Sequence, residues 1–258
     1  MIFKDQMNRT IRMESTPKRI VSLVPSQTEL LADLGLENQV VGITKFCIYP
    51  KIWFESKTRI GGTKKIDIEK VKGLNPDLII GNKEENRKED IELLEAIAPV
   101  WMSDIYTLED ALSMILSVGE LTDTQKKAVI LVKQIRQGFN QFVPLTRTPK
   151  VAYLIWKNPY MAAAKHTFID NLLGKIGFDN FFTGARYPEW ILNKEEKPAI
   201  IFLSSEPYPF NENDVIDLQQ QFPTASVKLV NGEYFSWYGS RLLKALPYFK
   251  QLRFELLT

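Results

Sequence analysis

The stretch "RIVSLVPSQTELLADLGL" (Arg19–Leu36) decides the fold. A short apolar run ends at Pro25, and a helical repeat begins at once. Ser26 followed three residues later by Glu29 reads as a capping box, which marks a helix start. A strand that stops where a helix opens can be a plain turn. It can also be one wall of a ligand site, because free backbone N–H groups point outward there.

The same alternation runs outward from this junction. Strands are expected at 19–24, 40–44, 77–82 and 100–104, and helices at 28–35, 67–76 and 88–98. Strand and helix in alternation predict a parallel sheet covered on both faces. Residues 107–143 then form one long amphipathic pattern. Leu112, Ile115, Leu116, Leu121, Val129, Val132, Ile135 and Phe139 recur at intervals of three and four. Gly119 and Thr122 mark a kink or break in it. After a loop at 144–150 the first pattern returns, with strands at 150–156, 199–207 and 226–230 and helices at 167–180, 214–222 and 240–254. The helix "TELLADLGLEN" (28–38) and the helix "FIDNLLGKIGFDN" (168–180) both run into Gly, an apolar residue, an acid and Asn. The expected fold is α/β: two Rossmann-like lobes with mostly parallel sheets, 1–106 and 144–258, joined by a backbone helix over 107–143.

Composition narrows the function classes. The chain has 258 residues, 45% hydrophobic and 25% charged, with a formal net charge of +2. Neither nucleic-acid nor membrane binding follows from that charge. No apolar run approaches the ~20 residues of a membrane-spanning helix. The first nineteen residues lack an apolar core and a small-residue cleavage site, so no signal peptide is expected in them. Cys47 and His166 are the only residues of their kinds. That excludes an internal disulfide, a multi-Cys metal site, a zinc site of two histidines and a His-based triad. No nucleophile elbow, phosphate loop or dinucleotide fingerprint occurs. Cys47 could ligate a metal as thiolate, or be a small buried apolar residue.

Ligands of open parallel sheets sit outside the carboxyl ends of the strands. In the first lobe these are 25–28, 45–49, 61–64 and 81–83. In the second they are 156–165, 184–190, 204–210 and 232–238. Aromatic residues crowd them: Phe46, Tyr49, Trp156, Tyr160, Tyr187, Trp190, Tyr208, Phe210, Tyr234, Phe235, Trp237 and Tyr238. Aromatics with a few polar groups suit a bulky, flat ligand, although any one of them can simply pack beneath a loop. The run "FSWYGSR" (235–241) carries three aromatics and Arg241 in one predicted loop. Pro25, Ser26 and Gln27 are expected to form part of a cleft wall between the lobes, through backbone N–H groups more than the Ser26 hydroxyl.

Several pieces carry a family resemblance: "RIVSLVPSQTELLADLG", "VVGITKFCIYP", "DIEKVKGLNPDLIIGN", the long central pattern, "KVAYLIWKNPYMAAAKHTFIDNLLGKIGFDNFF", "RYPE" and "GEYFSWYGSRLL". In this order, over nearly the whole length, the chain resembles the substrate-binding proteins of ABC importers of the helical-backbone type. That family binds cobalamin, iron-siderophores and haem, and the cobalamin-binding branch is the nearest in flavour. The resemblance implies two lobes, a stiff linking helix, a ligand held between the lobes with small closure, and no catalysis. It gives Tyr49, Tyr187, Met161 with Tyr160 beside it, and Tyr234 as ligand-contacting positions. Thr63 and Asn82 stand where the cobalamin branch has tryptophans, and Trp237 where related proteins often have Arg. Family members dock on the permease through one glutamate per lobe. Glu69 matches the first, and Glu189, ahead of Glu195 and Glu196, is taken for the second.

The expectation is therefore a non-enzymatic importer component that binds a metal chelate: a corrinoid, haem or ferric siderophore. Its partners are that chelate and an ABC permease, with no nucleic acid, no membrane insertion, no resident cofactor and a monomeric state. The resemblance places it in the periplasm or at a membrane surface. The rivals are a cytosolic two-lobe α/β enzyme and a cytoplasmic corrinoid- or chelate-handling protein that uses the same cleft.

Overall fold

The computed structural model describes residues 1–184, 186–193 and 195–257. Two compact units divide the chain. Unit 1 comprises Met1–Ile105, Glu109–Gln134 and Tyr238–Arg241; unit 2 comprises Tyr106–Leu108, Ile135–Trp237 and Leu242–Thr258.

Unit 1 opens with an antiparallel pair, β1 (Ile2–Lys4) and β2 (Thr10–Arg12). There follow β3 (Ile20–Ser22), α1 (Pro25–Asp33), β4 (Val40–Ile43), α2 (Lys51–Ser56), β5 (Thr58–Arg59), the small pair β6 (Gly61–Gly62) and β7 (Lys65–Ile66), α3 (Ile68–Gly73), β8 (Leu78–Asn82), α4 (Lys88–Glu95) and β9 (Val100–Ser103). The main sheet runs β5-β4-β3-β8-β9, with every pairing parallel. Its central strands are apolar on both faces, as a covered parallel sheet requires. Ile20, Val21, Leu78, Ile79 and Ile80 are all fully buried. α1 lies against β3 and α4 against β9.

Strand β9 is the sheet edge, and the N-terminal segment occupies it. Gln6 N–H donates to Met102 O at 3.1 Å. Met102 N–H donates to an Asp5 carboxylate oxygen at 3.3 Å, and Asp104 N–H to Gln6 Oε1 at 3.1 Å. Arg9 donates to Val100 O at 3.0 Å and is itself held by Asp5 at 2.7 Å.

The single long helix expected over 107–143 is two helices, α5 (Leu108–Leu121) and α6 (Gln125–Phe139). Thr122 turns back, its hydroxyl donating to Val118 O at 2.7 Å, and Asp123 has φ +56°. Gly119 is what lets the first turn of α6 approach. A Cβ there would stand 2.5 Å from the Ala128 Cβ. Gly119 and Thr122 thus mark a true break, and α6 carries residues of both units.

In unit 2, β10 (Lys150–Trp156), β11 (Met161–Ala162), α7 (Phe168–Lys175), β12 (Asp179–Asn180), β13 (Ile200–Ser204), α8 (Glu212–Gln221), β14 (Ser226–Val230), α9 (Gly232–Ser236) and α10 (Arg241–Leu257) follow. The sheet runs β11-β10-β13-β14, with β12 also on β10. β10, β12, β13 and β14 are parallel, and only β11 runs against β10. Its core gathers Leu154, Ile201, Leu203, Trp190, Phe210, Phe222 and their neighbours. Each such large side chain contributes about 1.5–3 kcal/mol on burial.

Candidate functional site

In unit 1 the strand ends are tied together by buried polar side chains. The Gln27 amide donates to Ser103 Oγ at 2.6 Å and Gly81 O at 3.2 Å. The Asn82 amide donates to the same hydroxyl at 2.9 Å, while its Oδ1 accepts from the amides of Glu84 and Glu85. Asn82 and Thr63 are both buried. Asn82 belongs to this polar strut, and the Thr63 carbonyl accepts from the Asn86 side-chain amide at 3.1 Å. Tyr238 is buried, and that burial pushes its phenol well above the ordinary value, with the facing Ser26 and Ser103 hydroxyls offsetting part of the rise.

The capping-box expectation at Ser26 and Glu29 is corrected. α1 starts at Pro25 with Val24 as its N-cap and no side-chain cap. Proline at the first helical position presets φ and lacks an N–H that would need a partner. Ser26 is buried within the first turn. The Glu29 carboxylate turns instead to Arg241, at 2.6 Å from its Nε, and both side chains are almost enclosed. The Arg241 guanidinium also lies 4.4 Å from the centroid of Tyr49, a partly exposed ring. Tyr49 and Arg241, two predicted contact residues far apart in the chain, are thus in one place. Phe46 is half-exposed beside them in sequence, under the Lys45 ammonium at 5.1 Å. Cys47 is fully buried, its sulfur 3.1 Å from the hydroxyls of both Thr28 and Thr44. Burial raises its thiol above the usual value. Among the described residues no group of three His, Cys, Asp or Glu side chains could hold a metal ion.

In unit 2 the strand ends carry an aromatic surface. Trp156 is 41% exposed and meets Tyr208 edge-on at 5.7 Å. Tyr160 lies parallel to Phe210, with centroids 6.5 Å apart. The segment 186–190 runs alongside 160–164. Trp190 N–H donates to Tyr160 O at 2.8 Å, Ala162 N–H to Pro188 O at 3.0 Å, and Met161 pairs with Glu189. Tyr160, Met161 and Tyr187 are thereby brought together, each half-buried. Trp190 is different: it is 4% exposed, packed on Phe222 at 5.2 Å, with its indole N–H on Glu196 at 2.5 Å. It is a core ring. Tyr234 sits on α9, half-buried, 5.1 Å from Tyr248. The run 235–241, expected as a loop, begins inside α9.

Two charged groups of unit 2 were not singled out from sequence. Lys157, at the end of β10, holds Asp214 at 2.5 Å. Burial pushes the Asp214 carboxyl up, but Lys157 and the Asn211 amide outweigh it and leave it below its ordinary value. Glu206, just past β13, accepts from Ser236 Oγ at 2.6 Å and Trp237 Nε1 at 2.9 Å. "SSEP" at a predicted strand end was the one available signal for Glu206.

Both proposed docking glutamates are exposed. Glu69 stands in the first turn of α3, whose N-cap is Asp67, accepting from Lys70 N–H at 3.1 Å. Glu189 is exposed, whereas Glu196 is engaged by Trp190. No helix among the described residues is long and apolar enough to cross a membrane.

Comparison with known proteins follows this geometry. The uncharacterized ABC transporter substrate-binding lipoprotein YvrC of Bacillus subtilis (strain 168) is 28% identical over 213 residues, 78% of this chain and 66% of that protein. The chain thus spans just under two thirds of that relative's length. The vitamin B12-binding protein of Yersinia pestis (strain Pestoides F) is 24% identical over 236 residues, 88% of this chain and 83% of that one. The crystal structure of the periplasmic vitamin B12-binding protein BtuF of Vibrio cholerae superposes with a TM-score of 0.80 at 21% identity, covering 93% of this chain and 98% of that one. This last likeness establishes the two-lobe α/β fold. Residues 20–225 match the periplasmic binding protein family, and the chain belongs to that family.

Proposed function

We propose that the chain is the substrate-binding component of an ABC importer and that its cargo is a metal chelate: a corrinoid, haem or ferric siderophore. The observation that carries this reading is the set of partly exposed rings at the carboxyl ends of both parallel sheets. In unit 1 these are Phe46 and Tyr49; in unit 2 they are Trp156, Tyr160, Tyr187 and Tyr234, with Met161 among them. Rings left open at strand ends offer flat apolar surface to a flat macrocycle or a ring-rich chelator. Arg241 backs the Tyr49 ring from the buried side. The names of the relatives, an importer lipoprotein and B12-binding proteins, favour the same class.

In this role the protein works on the outer side of a membrane, as a periplasmic or lipid-tethered monomer. Glu69 and Glu189 meet cationic residues of the permease. Such exposed charges set orientation and encounter rate more than affinity.

Titration of the purified protein with cyanocobalamin, haemin and ferric siderophores, followed by absorbance and tryptophan fluorescence, tests the cargo. Saturable binding of one of them at micromolar affinity or better is expected. Absence of binding to all three sinks the chelate class. For docking, Glu69→Ala and Glu189→Ala should keep chelate affinity and lose stimulation of the permease ATPase; full stimulation by the double variant rejects the assignment.

A further inference from the structure

We propose that Glu206 is a specificity-determining ligand contact, selecting metal chelates that carry no net negative charge and present N–H or O–H donors. The inference rests on the chelate-binding reading above.

Glu206 follows β13, the strand flanked by β10 and β14 in the sheet of unit 2. Its side chain is half-buried at the carboxyl end, the side where open parallel sheets take ligands. Ser236 and Trp237 both donate to one carboxylate oxygen, Oε1. The other, Oε2, has no hydrogen bond among the described residues, and Glu206 has no ion pair there. The cation at the end of the neighbouring β10, Lys157, is committed to Asp214.

The surroundings are shaped to hold this carboxylate. The backbone of Glu206 is pinned by Ser204, whose hydroxyl donates to Glu206 O at 2.6 Å. α9 starts against it at Gly232, where a Cβ would lie 2.4 Å from Ser204 Oγ and 2.6 Å from Glu206 Cγ. A side chain there would displace the glutamate, so only a bare backbone fits. The outcome is a carboxylate oriented by two neutral donors on one oxygen, with acceptor capacity left on the other. A partly desolvated carboxylate without a cation is satisfied by an incoming donor or positive charge and is opposed by an incoming anion. Amide-bearing corrinoids and neutral or cationic ferric hydroxamates meet the requirement. Ferric tris-catecholates do not.

The test uses the full chain and three probes: cyanocobalamin, a monocationic ferric trishydroxamate and a trianionic ferric tris-catecholate. Glu206→Gln keeps an acceptor for Ser236 and Trp237 and replaces the second oxygen by an NH2 group. The wild-type protein should bind cyanocobalamin or the trishydroxamate at least tenfold more tightly than the tris-catecholate. Glu206→Gln should weaken the favoured probe about tenfold and narrow or reverse the gap. Glu206→Asp, which keeps the charge, should preserve the discrimination and serves as the second variant if the first does not fold. A Glu206→Gln change that weakens all probes by one factor, or alters none beyond twofold, overturns the proposal and leaves the chelate reading standing. So does a wild-type preference for the tris-catecholate. Binding of no probe by the wild-type protein overturns the chelate reading itself, and this inference with it.

Discussion

Replacing Glu29 by leucine should take from Arg241 the carboxylate it meets inside unit 1. The two side chains are 5% and 7% exposed and meet at 2.6 Å. Removing one member of a buried pair costs about 3–5 kcal/mol, because the survivor keeps its desolvation without its partner. Arg241→Met takes the guanidinium from Glu29 instead and also removes it from Tyr49. That contact adds only about 0.5–1 kcal/mol, since the ring is open to water. The double variant, Glu29→Leu with Arg241→Met, leaves no charge behind and should cost less than either single change. Hydrogen exchange reads unit 1 directly, whereas a melt of a two-unit chain blends both units. The Leu23 amide, bonded to Ile80 O at 2.9 Å between β3 and β8, is a suitable reporter. Each single variant should speed its exchange by roughly two to three and a half powers of ten. A Glu29→Leu effect below tenfold, or a double variant whose cost equals the sum of the singles, would refute the buried-pair reasoning.

Three further outcomes follow from the packing. Gly232→Ala should destabilise unit 2 by about 1–3 kcal/mol, because its Cβ has no room beside Ser204 and Glu206; a melting temperature within a degree of wild type contradicts this. Asp214 has a lowered carboxyl in the folded state, so its stabilisation is present above the unfolded carboxyl's value near pH 4 and is lost as pH falls through the folded one. Asp214→Asn should therefore flatten acid unfolding of unit 2 below about pH 4, and an unchanged profile would show the Lys157 pair to be idle. Cys47 should resist a thiol-reactive disulfide reagent at pH 8 until the chain unfolds, since it is enclosed and its thiol is raised; stoichiometric labelling of the native protein contradicts that.

Much of the fold was legible because the buried strands of a parallel sheet are short apolar runs with clear punctuation. "DLIIGN" after Asn-Pro and "AIIFLS" after Lys-Pro became β8 and β13. The elements that escaped are β1, β2, α2, β5 to β7, β11, β12 and α9, each of six residues or fewer. Such pieces carry too little periodicity to separate them from loop. At Ser26 the local signal misled. A capping-box spacing was present, but the helix already had Pro25 at its first position, and Glu29 found a partner 212 residues away. Aromatic density at strand ends could not tell open rings from core ones. Trp156 stays open, while Trp190 is sealed among Phe182 and Phe222. Glu206 had only the strand-end "SSEP" to mark it, because the donors that orient it lie 30 and 31 residues on.

The N-terminal segment on β9 has a consequence for how wide the unit 1 sheet can be. A sheet normally ends where the chain runs out of strands, which leaves a row of backbone groups able to recruit another molecule. Here three side chains and one backbone amide stand where a sixth strand would. Asp5 accepts from the Met102 amide and Gln6 from the Asp104 amide, while the Gln6 amide and Arg9 reach carbonyls of the same strand. Because these contacts lack the repeat of a β-ladder, they cannot be handed on to a neighbouring chain. The border of the sheet is written largely in side-chain chemistry, and a substitution at Asp5 would free the Met102 amide without altering a single strand.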